Sequence, residues 1–171
     1  MGIARDFKHI VEVVTDYKER LNTINDAVFE LSPPTGGWSF SEVYFHILDA
    51  SVLTLDEIKV CTNGNGKRKD TAFIVKLILF LGSLPPGKKY EAPNNLAERL
   101  KKINKTEAME LADHFLFLLT EEYPNIRHAD QGVKTRHPTM GYLNAAQWLR
   151  FMRIHLEHHV KQLDRIKESL K

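Results

Sequence analysis

Apolar residues recur every three or four positions along most of this chain, a spacing typical of helices with one buried face. The first such segment runs from Asp6 to Leu31 and stops at a stretch with two prolines and two glycines, residues 32–37, which cannot continue a helix. Its apolar positions are Phe7, Ile10, Val11, Val14, Tyr17, Leu21, Ile24, Val28 and Leu31. The sequence therefore predicts a first amphipathic helix from Asp6 to Leu31.

Three further helix starts carry a capping box. In this motif a Ser or Asn side chain accepts a bond from the backbone three residues on, and a Glu or Gln at that position bonds back. The three pairs are Ser39 with Glu42, Asn104 with Glu107, and Asn144 with Gln147.

These starts open helices of different character. The helix after Ser39 is apolar on nearly every side, so we expect it deep in the structure. The next extends to Glu122, where Pro124 is expected to end it. The last runs from Ala145 to about Leu170. Four long helices without a strand signal predict an all-α four-helix bundle that forms one domain, residues 1–171.

Two stretches between these helices are harder to interpret. Residues 62–103 are too many for a structureless loop in a compact domain, so a helical insertion is expected there, with a short helix within Ala72–Leu81. Residues 125–142 are polar and are predicted to form a loop.

Charge and cysteine content exclude several classes of protein. Lys and Arg total 24 against 22 for Asp and Glu, which does not favour nucleic acid or an anionic membrane as a partner. The basic run Lys67–Lys69 is interpreted as a solvated loop. Cys61 is alone, so neither an intrachain disulfide nor a thiolate metal cluster is expected. The start of the sequence has no signal-peptide core, and the apolar stretch Thr71–Leu81 is too short to span a bilayer, so a cytoplasmic location is expected.

Three of the eight histidines lie together on the last predicted helix. At about 100° per residue, His159 falls near the centre of the apolar stripe, His155 at its edge and His158 at the boundary with solvent. Two inward imidazoles four residues apart can reach one ion, and both need partners when buried. His155 and His159 are therefore candidate metal ligands. His9, His114 and His128 are isolated, and His137 precedes Pro138 in the predicted loop.

A third ligand has to come from another helix. His46 is the natural candidate because it lies two turns into the most apolar helix. Three neutral imidazoles with a vacant position form an open, catalytic type of metal site. Two alternatives stay open: His158 could replace His159 as the partner of His155, or the histidines could be packed without any metal.

Several motifs together resemble the DinB/YfiT-like superfamily, and more narrowly an uncharacterised branch of it. The resemblance covers essentially the whole chain and is loosest over residues 62–103. The motifs are Gly36-Gly37-Trp38-Ser39 followed by Glu42 and His46, then His137-Pro138-x-x-Gly141, Gln147-Trp148, and His155-Leu156-Glu157-His158-His159-x-x-Gln162.

The resemblance implies up-down-down-up connectivity with a long crossover between the second and third bundle helices. It also implies a divalent ion, zinc or nickel, on His46, His155 and His159. Characterised relatives include bacillithiol-dependent thiol S-transferases and a mycothiol-dependent isomerase. The expected function is thus a metal-dependent enzyme that activates water or a low-molecular-weight thiol toward a small-molecule substrate.

The rival hypothesis is a non-catalytic metal-binding or stress-response module that acts through oligomerisation or a partner. The sequence leaves a homodimer open. Gln162, Asp49 and Glu57 are further candidates near the site, as ligand orienters or as a base.

Overall fold

The computed structural model describes residues 2–34, 36–83 and 99–170. Its helices are α1 (Ile3–Thr23), α2 (Asp26–Phe29), α3 (Phe40–Thr62), α4 (Phe73–Leu81), α5 (Lys105–His128) and α6 (Ala145–Ser169). Its strands are β1 (Lys67–Arg68), β2 (Val133–His137) and β3 (Gly141–Leu143). The long helices α1, α3, α5 and α6 form the predicted four-helix bundle. Within the described residues, no helix has the length and apolarity needed to cross a membrane.

Contacts near both ends of α1 determine its direction relative to its two neighbours. Asp6 pairs with Arg150 at the start of α6, and Arg20 pairs with Asp164 near its end, so α1 and α6 run parallel. Phe7 near the start of α1 stacks on Tyr123 late in α5, whereas Lys18 pairs with Asp113 in the first half of α5, so α1 and α5 run antiparallel.

The direction of α3 follows from similar contacts. Ser41 at its start bonds to Ile103, just before α5, and Thr62 at its end bonds to Glu122, late in α5, so these helices are parallel. Cys61, also at the end of α3, contacts the backbone of Leu143 just before α6. Helix α3 therefore runs antiparallel to α6, and the order is up-down-down-up, as expected from the resemblance.

All three predicted capping boxes are present, at Ser39, Asn104 and Asn144. The short helix α4 lies within the predicted insertion, and residues 84–98 of that insertion fall outside the described residues. The start of α6 and its end at Ser169 also match the sequence prediction. Local signals therefore located the starts of α3, α5 and α6 and the end of α6.

Two helix ends predicted from the sequence are wrong. Helix α1 ends at Thr23 because Asn25 caps the separate short helix α2 with its side chain, which competes with helix continuation. Helix α5 continues through Pro124 to His128. The proline removes one backbone donor, but Thr120, whose carbonyl would accept that bond, is exposed and can bind water instead.

A small antiparallel sheet, in the order β1-β2-β3, corrects the expectation of no strands. Strand β2 pairs with β3 in a hairpin that sets Thr135 opposite Leu143 and His137 opposite Gly141. Gly141 has a φ of 74°, which glycine adopts at little cost after a three-residue hairpin loop. The Lys67–Lys69 run is exposed as predicted, but its first two residues form β1 and pair with β2.

A buried ion pair joins the starts of α1 and α6 to the end of α4. Asp6, which is 2% exposed, lies 2.6 Å from Arg150 and 3.2 Å from Arg153. Arg150 also donates to the carbonyl oxygen of Leu79, at 3.1 Å. Since backbone carbonyls at a helix C-terminus carry partial negative charge, the arginine stabilises the end of α4.

Replacing Asp6 by alanine should destabilise the fold by about 3–5 kcal/mol, because the buried guanidinium of Arg150 would lose its counter-charge and Arg153 would keep only Glu157. Asp113→Ala is the matched control, since it removes an exposed partner of Lys18 and should cost no more than about 1 kcal/mol. Urea unfolding at neutral pH measures both changes. Equal losses in the two variants would contradict this account of the buried pair.

Candidate metal centre

His155 and His159 lie one turn apart on α6, and their side chains point to the same place. Their Nε2 atoms are 3.0 Å apart. His159 is buried and His155 is half-buried. The two nitrogens are within hydrogen-bond distance, and two ligands of a tetrahedral zinc ion at about 2.0–2.1 Å would have their nitrogens about 3.3 Å apart, so only a slight separation of the rings would let them share an ion.

His46 comes to the same point from α3. Each of the three histidines offers a ring nitrogen, and these three atoms lie within 4.8 Å of one another. Helix α3 brings His46 there because it packs antiparallel to α6, which sets the start of one helix beside the second half of the other. The described residues thus place together the three histidines that sequence reasoning selected. Three imidazole nitrogens form a donor set that fits zinc or nickel.

Gln162 orients the ring of His159. Its Oε1 atom lies 2.7 Å from Nδ1 of His159. A carbonyl oxygen can only accept, so Nδ1 carries the proton and Nε2 keeps its lone pair toward His155 and His46. Such a partner behind a ligating imidazole fixes its tautomer and raises its basicity. The contact between Gln162 and His159 therefore supports the hypothesis that Gln162 orients a ligand.

Burial keeps the three imidazoles neutral. Removal from water lowers the pKa of His46 to about 4, although the nearby charge of Asp49 opposes this shift. Burial, together with the charges of His46 and His158, lowers the pKa of His159 to about 3. For His155 burial lowers the pKa well below its ordinary value, with a further contribution from His159. At neutral pH all three rings therefore have lone pairs available to a cation.

Aromatic rings hold the imidazoles in place. The ring centroid of Trp38 is 4.8 Å from that of His46, and its plane is parallel to that of His159 at 6.5 Å. Phe151 stacks on His155 with centroids 5.6 Å apart. Sequence reasoning did not assign Trp38 or Phe151 to the site, although Trp38 belongs to the motif before the α3 cap. Phe151 could have been found from its position one turn before His155.

His158 occupies a different position from the other two α6 histidines. Its ring is edge-on to His159 at 5.2 Å, and the side chain is half-exposed. Among the described residues, the group with converging ligand atoms contains His46, His155 and His159 and leaves out His158. This arrangement favours the first of the two ligand sets that the sequence left open.

The two carboxylates suggested by the sequence differ in their relation to the site. Asp49 lies one turn after His46 and is held by Arg99 through two bonds of 2.6 and 2.9 Å. Glu57 lies eleven residues after His46, about 16 Å along the helix axis, which is too far to act on a group bound there. The distance therefore excludes Glu57 as a candidate base. The carboxylate of Asp49 is already paired with Arg99.

His137 reaches the neighbourhood of the site from the hairpin. Its ring is 4.5 Å from that of Phe151, and its Nδ1 atom accepts backbone N–H bonds from Thr139 and Met140, each at 3.1 Å. Burial lowers its pKa to about 4. The residue thus closes the hairpin turn and packs behind the ring that stacks on His155.

The fold and the site together define the class of this protein. It is an up-down-down-up helical bundle with a candidate metal site between two antiparallel helices. The family model described as the DinB superfamily matches residues 9–163. The chain belongs to the DinB superfamily. A search of curated proteins finds no match.

Solved structures share the fold at low sequence identity. YfiT from Bacillus subtilis, described as a probable metal-dependent hydrolase with an unusual four-helix bundle topology, is 15% identical with a TM-score of 0.66, covering 98% of this chain and 87% of its own. The four-helix bundle protein TT2238 is 18% identical with a TM-score of 0.62, covering 96% and 99%. The mycothiol-dependent maleylpyruvate isomerase is 13% identical with a TM-score of 0.62, covering 94% of this chain but 60% of its own.

Proposed function

We propose that this protein is a metal-dependent enzyme that holds one divalent ion, zinc or nickel, on His46, His155 and His159 and acts on a small molecule. The observation that carries the proposal is the convergence of three imidazole nitrogens within 4.8 Å of one another. The resemblance in fold to YfiT, a probable metal-dependent hydrolase, and to the mycothiol-dependent isomerase supports the reaction class.

The residues around the site suit this role. His46, His155 and His159 are neutral donors, so they would leave the charge of an ion uncompensated. An ion held in this way supplies a Lewis acid that lowers the pKa of a water or thiol toward neutrality. Gln162 orients His159, and the rings of Trp38 and Phe151 pack against His46 and His155. These side chains hold the donors in one arrangement before any ligand arrives.

We infer that the activated group is water or a low-molecular-weight thiol. Thiolate sulfur is a softer ligand than water and suits zinc or nickel, and three protein ligands leave room for it. Cys61 is buried near the end of α3, fifteen residues and about 22 Å from His46, so its sulfur cannot be that ligand. The thiol would therefore have to come from solution.

Titrating a cobalt-substituted sample with a small thiol should change its visible spectrum, because sulfur would replace an oxygen ligand. The matched control is Cys61→Ser, which should give the same response if the added thiol is the source. Chelator treatment should leave the helical signal in place, since α3, α5 and α6 carry their own caps.

A different pair of results would contradict the enzyme proposal. Loss of helical signal with the metal, together with a spectrum indifferent to thiols, would indicate a structural ion. The protein would then be a metal-binding module acting through oligomerisation or a partner.

A further inference from the structure

Helix α4 is apolar on all sides, yet the described residues bury only one of its faces. Val75 and Leu79 point inward and are buried, and Lys76 is the one charged residue of the helix. The opposite face exposes five large apolar side chains, between 38% and 81% each. They are Phe73, Ile74, Leu77, Phe80 and Leu81, here called the α4 stripe. A helix without a polar face is normally covered on every side.

The α4 stripe is continuous. At about 100° per residue its five side chains fall within an arc of about 120°, centred opposite Val75 and Leu79. Lys76 lies just outside one margin of the arc. Protein–protein interfaces commonly have an apolar centre surrounded by a polar rim, and the α4 stripe with Lys76 beside it has this arrangement.

Polar contacts also anchor the end of α4 to the bundle. Arg150 and Arg153 contact the backbone oxygens of Leu79 and Gly82 at the end of α4, and Asp6 holds both arginines. These contacts orient the helix before any partner arrives. A surface that needs no ordering loses less conformational entropy on binding, so more of the gain from burial appears as affinity.

We propose that the α4 stripe is the contact surface of a homodimer, in which two copies of α4 pack face to face across a two-fold axis. The exposed fractions correspond to about 550 Å² per chain, if each side chain offers on the order of 150–200 Å². Two copies would bury about 1,100 Å² between the stripes, which exceeds the roughly 1,000 Å² expected of a biological interface. In an isologous dimer each stripe meets an identical stripe, so both are covered at once.

A membrane surface is the main competing occupant. Helices that lie on membranes combine an apolar face with a polar face rich in Lys and Arg. The far side of α4 is instead packed on the protein through Val75 and Leu79, and the helix carries one lysine. The observations therefore favour a second copy. This inference is independent of the proposed metal chemistry.

Sedimentation velocity of the full chain over a range of concentrations tests the proposal. The wild type should sediment with twice its chain mass of 19.7 kDa. A variant with both Phe73→Glu and Phe80→Glu should be monomeric, with the dissociation constant raised at least about 100-fold, because four charges would be buried in the pair. Phe117→Glu is the matched control, since Phe117 is 63% exposed on α5 and lies outside the stripe. It should leave the dimer intact.

Hydrogen exchange of the wild type provides a second measurement if the double variant does not fold. Amides of residues 73–81 should exchange more slowly as protein concentration rises. A monomeric wild type would overturn the proposal and assign the stripe to another occupant, such as residues 84–98 of the same chain. Flotation of monomer with vesicles of phosphatidylcholine and phosphatidylserine would overturn it in favour of a membrane. Dimer loss in the Phe117→Glu variant would place the interface elsewhere and would overturn it too.

Discussion

Replacing His159 by alanine should weaken zinc or nickel binding by at least about 100-fold, since a tetrahedral site would lose one of its three protein ligands. His155→Ala and His46→Ala should have the same effect, because their ring nitrogens converge on the same point. Competition with a chromophoric chelator measures the affinity, and elemental analysis of the purified variants measures the stoichiometry. The wild type should hold one ion per chain.

His158→Ala is the matched control for these variants. It removes an imidazole from the same helix, adjacent in sequence to His159, but from outside the converging group. Binding should be largely preserved. Equal loss in the His155, His158 and His159 variants would show that the assignment of ligands from the helix face is wrong.

A substitution at Gln162 separates ligation from orientation. Gln162→Leu removes the acceptor that lies 2.7 Å from Nδ1 of His159 and leaves the ligand set intact. Such partners are typically worth about 10–100-fold in metal affinity. The expected order of affinities is therefore wild type, then Gln162→Leu, then His159→Ala.

Helix starts were predictable because their signals are local. The boxes at Ser39, Asn104 and Asn144 need only residues within one turn, and all three helices begin where these residues indicate. The ends of α1 and α5 were not predictable, because each depends on how strongly helix continuation competes with a signal that would stop the helix. Asn25 prefers to cap α2 although the apolar spacing continues past it, and Pro124 costs little where Thr120 faces solvent.

The small sheet was beyond the reach of sequence reasoning for a different reason. Strand β1 pairs Lys67 with Lys134, a partner far away in the sequence, so neither strand shows the pairing in its own pattern. The strands are also too short for alternation to be recognisable. Long-range pairing of this kind depends on the bundle that brings both segments together.

The candidate site shows the same difference between features that follow from local sequence and features that depend on tertiary contacts. Helix periodicity predicted His159 near the centre of the apolar stripe, His155 at its edge and His158 at the boundary with solvent; in the structure His159 is buried and the other two are half-buried. The stacking of Trp38 on His159, and the pairing of Asp49 with Arg99, depend on tertiary contacts between segments distant in sequence. The sequence could therefore select the imidazoles but not the side chains that hold them.

Acid should destabilise the metal-free protein well above the pH at which carboxylates titrate. His46 and His137 have folded-state pKa values of about 4, and His159 of about 3, against about 6.5 in an unfolded chain. Below pH 6.5 the unfolded chain binds protons that the folded chain does not. The contribution of these histidines to the free energy of unfolding is therefore complete above about pH 6.5, and it is lost as pH falls toward 4.

The size of this loss follows from the number of histidines. Each contributes about 1.4 kcal/mol per pH unit over the window, so the three together can approach 4 kcal/mol per unit. Typical domains are stable by about 5–15 kcal/mol, so much of the stability would be lost between pH 6.5 and 5. With the ordinary imidazole pKa of about 6.5, metal occupancy would decline below about pH 6. Since burial lowers these pKa values, protons should compete for the lone pairs only at lower pH, as long as the chain stays folded.

Urea unfolding of chelator-treated protein at pH 7, 6 and 5 measures the effect, above the range in which ordinary carboxylates titrate. His137→Gln should reduce the slope of stability against pH by about one proton, or 1.4 kcal/mol per unit, because it removes one buried imidazole outside the ligand set. The control Phe117→Leu changes an exposed side chain that does not titrate and should keep the wild-type slope. A stability that is flat from pH 7 to pH 5, or a slope that His137→Gln leaves unchanged, would show that these imidazoles take up protons in the folded state as readily as in the unfolded one. Such a result would contradict the conclusion that burial keeps these imidazoles neutral and available as ligands.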